Sequence, residues 1–216
     1  MSDDGSAVRV LIGCEESQTV CLAFRRLCHE AFSADLQPCS GGHPEWHIQG
    51  DCTEILDDGW DLGIFHPPCT YLSNAGAIHL YPKGELNRER YGKGLEGKEL
   101  FLKFWNANIP KVCVENPIPS SIFALPPYDQ VIQPYHFGDP FKKTTCLWLR
   151  GLRPLVGTNN LGGGEPMVNN TAGSGWGSAG GKDRQKNRSK TFPGIAEGMA
   201  TQWGSDFSPD WGELFR

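Results

Sequence analysis

The chain has 216 residues, 38% of them hydrophobic, and a formal net charge of −5 at pH 7. This length and composition predict one domain with a sizeable core. No apolar run reaches about eighteen residues, the length that a membrane-spanning helix needs, and the first residues are polar and acidic, unlike a secretory signal. We therefore expect a cytoplasmic protein. The negative charge excludes a surface that is basic overall, so contacts with phosphates have to be local.

Two strands and a helix are predicted at the start of the chain. Val8 to Gly13 is an apolar run that ends in glycine, and residues 17–29 carry apolar side chains at helical spacing. A second strand, Ala31 to Ala34, is followed by Asp35. An acid at the end of a second strand is suited to accept hydrogen bonds from the ribose hydroxyls of a nucleoside cofactor.

The turn between the first strand and the helix carries two acids, Glu15 and Glu16. Two interpretations stay open for them. Their charge favours the sulfonium or amino group of a cationic ligand. Alternatively, it interacts with the positive end of the helix macrodipole.

Eight cysteines are scattered along the chain without a CxxC pair. We interpret them as reduced thiols, because reduced cysteine packs as a small apolar residue. The best candidate for a metal site is the group Cys39, His43, His47 and Cys52. Pro44 and the flanking glycines favour a loop there, and we predict no metal.

The most informative segment follows the next predicted strand. Residues 61–65 form a short apolar run, and His-Pro-Pro-Cys comes directly after it, ending at Cys69. The two prolines stiffen the approach to Cys69 and hold its sulfur on a rigid turn. Lys111 to Val114 is a second such run, followed by Glu115. Because open α/β sheets bind ligands at the carboxyl ends of their strands, we expect the thiol and the carboxylate to meet there.

A thiol and a carboxylate together suit addition to an electron-poor ring. A thiolate is a soft nucleophile, and a carboxyl group can hydrogen-bond the ring nitrogen that accepts the displaced electrons. Cytosine is such a ring, and attack at its carbon 6 makes carbon 5 nucleophilic enough to take a methyl group. Each residue alone also has a structural interpretation, as a buried cysteine and a capping glutamate.

The remaining segments are less specific. The charged side chains of residues 83–99 indicate a loop followed by a helix with a solvent-exposed face. Residues 157–181 are glycine-rich and are interpreted as a flexible linker. Residues 182–190 carry five basic side chains against one acid and are the best candidate for a phosphate-binding patch.

The chain resembles the DNA cytosine-5 methyltransferase family, in the form of a small phage- or prophage-type member. Pro67-Pro68-Cys69 with Ser73 and Gly76 matches the family's nucleophile motif, and Glu115-Asn116-Pro117 stands where the family has Glu-Asn-Val.

Two later segments continue the resemblance. Phe137-Gly138-Asp139-Pro140 is similar to the family's Tyr-Gly-x-Pro, and residues 191–200 are similar to the closing motif that packs beside the cofactor. The resemblance therefore spans most of the chain, in family order.

The resemblance implies a fold, a cofactor and a reaction. The fold class is α/β, a Rossmann-like S-adenosylmethionine-dependent methyltransferase fold in a single domain with helices on both faces of the sheet. The reaction is methylation of carbon 5 of cytosine in DNA through a covalent adduct, in which Cys69 adds to carbon 6 and Glu115 stabilises the ring at nitrogen 3. The partner is duplex DNA with the target base flipped out, without a membrane or an obligate protein partner, in a bacterial cell or a phage-infected host.

The resemblance also implies two sets of binding residues. Those expected to bind S-adenosylmethionine are Gly13, Glu15, Ser17, Asp35, Leu36, Asp51, Cys52 and Pro67, with Asp51 accepting from the adenine amino group. Those expected to bind nucleic acid are Ser73, Asn74, Lys143, Arg184, Lys186 and Arg188.

Three departures from the family pattern modify these expectations. Acids occupy the first turn, where the family has glycines, and a modified S-adenosylmethionine stays open as the cofactor. Thr145 stands at the second arginine of the family's Gln-x-Arg-x-Arg motif, which puts part of the base contact in doubt. The interval before residue 191 is too short for the family's large target-recognition domain. We therefore expect the protein to recognise little of the DNA sequence around its target.

These expectations divide the chain into three parts. Residues 1–156 form the catalytic and cofactor-binding core, residues 157–190 a glycine-rich and then basic loop, and residues 191–216 a closing helix that packs on the core. Alternative substrates are a free cytosine nucleotide or RNA. A third alternative is a non-catalytic protein that binds nucleic acid.

Overall fold

A computed structural model of the chain describes residues 7–166 and 190–205. Its main sheet has seven strands, namely β1 (Arg9–Gly13), β2 (Glu30–Asp35), β3 (His47–Gln49), β4 (Leu62–Phe65), β5 (Lys111–Asn116), β6 (Gln130–Ile132) and β8 (Thr145–Arg150). A second, two-stranded sheet pairs β7 (Phe141–Lys142) with β9 (Glu165–Pro166). The helices are α1 (Thr19–Arg26), α2 (Asn74–Ala77), α3 (Arg88–Trp105) and α4 (Pro193–Gly204).

The strand order in the main sheet is β3-β2-β1-β4-β5-β8-β6. The first five strands are parallel to their neighbours, and β8 runs antiparallel between β5 and β6. The predicted α/β class is confirmed. Because the order reverses between β1 and β4, the connections that leave these strands diverge and open a crevice at the carboxyl edge of the sheet, where such folds bind ligands.

Alternating strand residues build a core on each face of the sheet. Val10 and Ile12 of β1 pack in the same cluster as α1 and α4, whereas Leu11 packs in the cluster that contains Phe101 and Phe104 of α3. This alternation is the two-residue period of a strand that is buried on both faces. The helices on both faces agree with the sequence-based prediction.

Several element boundaries differ from those predicted. The first helix is shorter than residues 17–29, because Gln18 and Cys28 both adopt positive φ and bound it. Glu115 lies inside β5 rather than after it. The glycine-rich segment is not wholly a linker, since its described part pairs as β9 and forms a bridge from Asn159 to Phe137. Within residues 7–166 and 190–205, no helix combines the length and the apolar surface needed to cross a bilayer.

The Phe-Gly-Asp-Pro segment fixes the start of α4. Asp139 Oδ2 accepts a hydrogen bond from the Gly194 N–H at 2.9 Å, which satisfies a backbone donor in the first turn of the helix. A Cβ on Gly194 would lie 2.1 Å from the Phe137 carbonyl oxygen, so only glycine allows this approach. The helix continues against α1 and buries Met199 and Trp203.

Two glycines on α3 test the packing of its inner face. A Cβ on Gly94 would lie 2.1 Å from Cζ of the buried Phe123, whereas a Cβ on Gly92 would meet nothing within 4 Å. We expect Gly94→Ala to lower the free energy of unfolding by about 1–3 kcal/mol through overpacking. Gly92→Ala should raise it by up to about 1 kcal/mol, because alanine favours helix. Urea denaturation measures both, and stabilisation by both variants would show that Phe123 does not pack against α3.

Candidate active site

The loop that carries Cys69 is held by backbone hydrogen bonds at both ends. The His66 N–H donates to the Gly13 carbonyl at 3.0 Å, which ties the loop to the end of β1. The Cys69 carbonyl accepts from the N–H groups of Leu72 (3.2 Å) and Ser73 (3.0 Å) in a tight turn. Cys69 is half-buried and does not form a disulfide.

Arg90 of α3 holds the same loop from its far side. Its Nη2 donates to the carbonyls of Thr70 and Gly76, both at 3.1 Å, and its guanidinium lies 4.9 Å from the Tyr71 ring centroid. Ser73 begins α2, and its hydroxyl accepts from the Gly76 N–H at 3.3 Å. The Cys69 loop is therefore rigid, as its prolines predict.

Asn116 joins the ends of β4 and β5. Its Nδ2 donates to the Pro67 carbonyl at 3.1 Å, and the residue is only 1% exposed. This bond fixes the turn before Cys69 relative to the strand that carries Glu115. The structure thus brings the two predicted catalytic residues to one edge of the sheet.

Glu115 is a buried carboxylate with a histidine partner. His66 Nδ1 lies 3.2 Å from Glu115 Oε2, and the two side chains are only 8% and 11% exposed. Burial raises the pKa of Glu115, but the His66 hydrogen bond, the charge of Lys143 and the Thr145 hydroxyl outweigh it, so the pKa lies below its ordinary value. Glu115 is therefore ionised at neutral pH.

Lys143 lies between Glu115 and the segment that leads into α4. Its Nζ donates to the Lys190 carbonyl at 3.5 Å and lies 5.9 Å from the Phe192 ring centroid. Lys143 was predicted to contact phosphate, and here it contributes positive charge close to Glu115. This positive charge partly neutralises the carboxylate of Glu115.

Glu15 caps the first helix. Its Oε1 accepts from the Val20 N–H at 2.7 Å and its Oε2 from the Cys21 N–H at 3.2 Å, and the residue is 5% exposed. This geometry favours the macrodipole interpretation of this acid. Burial raises the pKa of the Glu15 carboxyl to about 7, although the charge of His66 and the two N–H groups oppose the shift.

The raised pKa of Glu15 makes stability depend on pH. Between about pH 4.5 and about pH 7, the folded chain binds the proton of the Glu15 carboxyl more tightly than the unfolded chain does. The protonated carboxyl therefore contributes fully to the free energy of unfolding at acid pH, and this contribution is lost as pH rises. We expect the free energy of unfolding of the wild type to fall as pH rises across this range. In Glu15→Gln this fall should be smaller by on the order of 3 kcal/mol. Urea unfolding at several pH values measures it, with the exposed Glu54→Gln as control. An unchanged slope in Glu15→Gln would contradict this assignment.

Acids and thiols line the crevice beside the first turn. Asp35 Oδ1 accepts from the Gln37 N–H at 2.8 Å, and Asp51 Oδ1 accepts from the Thr53 N–H at 2.9 Å. Cys14 Sγ lies 3.8 Å from Cys52 Sγ. The pKa of Cys14 is raised by Cys52 and by burial, and the charges of both aspartates add to it.

Three further predicted cofactor contacts surround this crevice. Leu36 is 70% exposed directly after Asp35. A Cβ on Gly13 would lie 2.5 Å from Phe65 Cδ1, so glycine is needed at the end of β1. The Ser17 hydroxyl lies 3.0 Å from that of Thr19 at the start of α1.

The histidines of the candidate metal group have other partners. His47 Nδ1 lies 2.8 Å from the Ser33 hydroxyl, and its Nε2 lies 2.9 Å from the Gln37 carbonyl. His43 stacks on Trp46 at 4.3 Å between ring centroids. In the described part of the chain, no group of three or more potential ligands is arranged to hold a metal ion.

The predicted nucleic-acid contacts are only partly described. Asn74 is exposed at the start of α2, and its N–H donates to the Ile118 carbonyl at 2.9 Å, so the Cys69 loop and the segment after β5 run side by side. Arg184, Lys186 and Arg188 lie outside the described residues.

Two residues of the site were not assigned a role from the sequence. His66 and Asn116 both flank the predicted catalytic residues along the chain, and each contacts the opposite strand end. The polar side chain of His66 at the buried end of a strand was the available signal, because such a side chain needs a partner.

Comparisons with known proteins give little further information. No protein-family model and no curated protein matches the chain. Among solved structures, a protein provisionally described as a DNA modification methyltransferase encoded within a prophage of E. coli matches 66% of this chain and 46% of its own, with 13% identity and a TM-score of 0.39. The chain spans less than half the length of that protein, and the match assigns it to no family.

Proposed function

We propose that the protein is an S-adenosylmethionine-dependent methyltransferase that acts on carbon 5 of cytosine in DNA. The observation that carries this proposal is the hydrogen bond from Asn116 to the Pro67 carbonyl, which ties the turn before Cys69 to the end of the strand that carries Glu115. A thiol and a buried carboxylate at the same edge of the sheet suit covalent addition to a pyrimidine better than a structural role for either residue.

The crevice between β1 and β4 fits the proposed cofactor. Asp35 offers a carboxylate to the ribose hydroxyls and Asp51 offers one to the adenine amino group, while the exposed Leu36 offers an apolar surface to the adenine ring. Asp35 and Asp51, the acids near the first turn, favour a cationic ligand over an anionic one. When bound, S-adenosylmethionine supplies the methyl group.

The residues of the chain have distinct roles on the base. Cys69 adds as the thiolate to carbon 6 of the ring. As Cys69 adds, nitrogen 3 takes up a proton from solvent, and Glu115, being ionised, accepts a hydrogen bond from that N–H and stabilises the protonated ring. Carbon 5 then becomes the nucleophile. Lys143 limits the electrostatic cost of keeping Glu115 charged in a buried position.

Trapping with 5-fluorocytosine tests the nucleophile. Fluorine at carbon 5 cannot leave as a proton, so the methylated adduct should stay bound to Cys69. We expect the wild type to form a covalent complex with 5-fluorocytosine DNA in the presence of S-adenosylmethionine, and Cys69→Ser to form none, because a hydroxyl is far less ionised at neutral pH. Denaturing gels and peptide mass spectrometry measure the complex.

The exposed Cys28→Ser is the matched control and should trap as the wild type does. Parallel reactions with 5-fluorocytosine in duplex DNA, in RNA and in the free nucleotide separate the possible substrates. A complex that persists in Cys69→Ser would refute the assignment of the nucleophile, and capture by RNA or nucleotide alone would refute DNA as substrate.

The cofactor site is tested by binding. Asp35→Ala should weaken S-adenosylmethionine binding by about 1–3 kcal/mol, because the ribose hydroxyls lose an acceptor on burial. Isothermal titration calorimetry measures the affinity, with Asp57→Ala, an exposed acid outside the crevice, as control. Equal affinity of Asp35→Ala and the wild type would place the cofactor elsewhere.

A further inference from the structure

Only one of the two ring nitrogens of His66 has a hydrogen-bond partner among the described residues. Nδ1 lies 3.2 Å from Glu115 Oε2, whereas Nε2 is buried and has no hydrogen-bond partner among the described residues. The side chain is only 8% exposed. Buried polar atoms are nearly always hydrogen-bonded in folded proteins, so this exception at the carboxyl edge of the sheet points to a partner that binds there.

The tautomer of His66 follows from its partner. An ionised carboxylate only accepts hydrogen bonds, so Nδ1 carries the proton that it donates to Glu115. In the neutral ring, Nε2 then has a lone pair and no proton. A histidine oriented through Nδ1 by a buried carboxylate, with Nε2 directed elsewhere, has the arrangement of a general base.

His66 lies between the proposed binding sites for the cofactor and for the cytosine ring. Its N–H bonds the Gly13 carbonyl on the first turn, where the cofactor is proposed to bind, and its ring bonds Glu115, where nitrogen 3 is proposed to bind. Carbon 5 has to lie between cofactor and carboxylate to receive the methyl group. The charged groups around the imidazole are Glu15 from the first turn, Glu115 from β5 and Lys143 from the segment before β8.

We propose that His66 is the general base that removes the carbon-5 proton, an inference that rests on the proposed function. The C5–H bond breaks and its proton moves to Nε2. The electron pair of that bond forms the C5–C6 double bond, and the C6–S bond breaks with its electrons returning to Cys69 as the thiolate. Glu115 stabilises the imidazolium that forms, which then loses its proton to water.

The substitution His66→Asn separates this role from a structural one. The asparagine amide would retain a donor for Glu115 at the place of Nδ1, but it offers no basic nitrogen at the place of Nε2. We expect turnover to fall by about 10²–10⁴-fold, the usual contribution of a positioned base. On ordinary DNA the variant should accumulate the methylated covalent adduct, which the wild type releases. His79→Asn, an exposed histidine at the end of α2, is the control.

A second readout needs no cofactor. Addition of Cys69 to carbon 6 makes carbon 5 exchange its hydrogen with water, so DNA tritiated at cytosine carbon 5 should release tritium with the wild type. His66→Asn should release it about 10²–10⁴-fold more slowly, while capture by 5-fluorocytosine DNA stays at the wild-type level. Tritium release at the wild-type rate would overturn the proposal, and so would loss of capture, because His66 would then act before proton removal.

The variant His66→Gln provides an independent measurement if His66→Asn does not fold, because it too offers no basic nitrogen. The methylated adduct should accumulate with it on ordinary DNA, whereas the wild type releases the adduct. Absence of accumulation with a folded His66→Gln would overturn the role of His66. If the wild type is not captured by any 5-fluorocytosine substrate, the proposed function itself fails.

Discussion

The site depends on keeping a carboxylate ionised at the buried end of a strand. A buried charge is costly unless other charges and donors surround it, and three parts of the chain supply them to Glu115. His66 comes from the end of β4, Lys143 from the segment before β8, and Thr145 from the first residue of β8. These contacts bring the strand ends together in one arrangement, and that arrangement places Cys69 beside the crevice. The groups that stabilise the buried charge of Glu115 therefore also hold the strand ends at this edge of the sheet in place.

Much of this organisation was predictable from the sequence, for reasons that the structure makes clear. The strands were predicted because parallel strands that are buried on both faces are continuous apolar runs. Cys69 was proposed as the nucleophile because prolines precede it, and that role stays a prediction. The partner of Glu115 was not found, since His66 and Glu115 are distant in sequence and sequence order alone does not give contacts between strands. The function of Glu15 was left open for a similar reason. Both interpretations need an acid on the first turn, and only the positions of the Val20 and Cys21 N–H groups favour one of them.

The capped helix also affects how the crevice can bind a ligand. The N-terminus of a helix ordinarily offers N–H groups to an anion, but in α1 two of these groups already bond Glu15. Asp35 and Asp51 add negative charge on the same side. The electrostatics of the crevice therefore differ from those of a glycine-rich phosphate site, and they favour ligands that present hydroxyl, amino or sulfonium groups.

The packing of α4 on α1 has a consequence for the order in which the chain can fold. The two helices lie far apart in the sequence and bury Phe24, Met199 and Trp203 in one cluster. During synthesis, the strands that α1 covers are made long before α4 leaves the ribosome, so one face of the sheet stays incomplete until α4 emerges. Contacts between distant segments also slow folding, because a long loop has to close first. Until α4 has been made, a nascent chain leaves the apolar residues of this cluster uncovered, and exposed apolar surface of this kind favours aggregation.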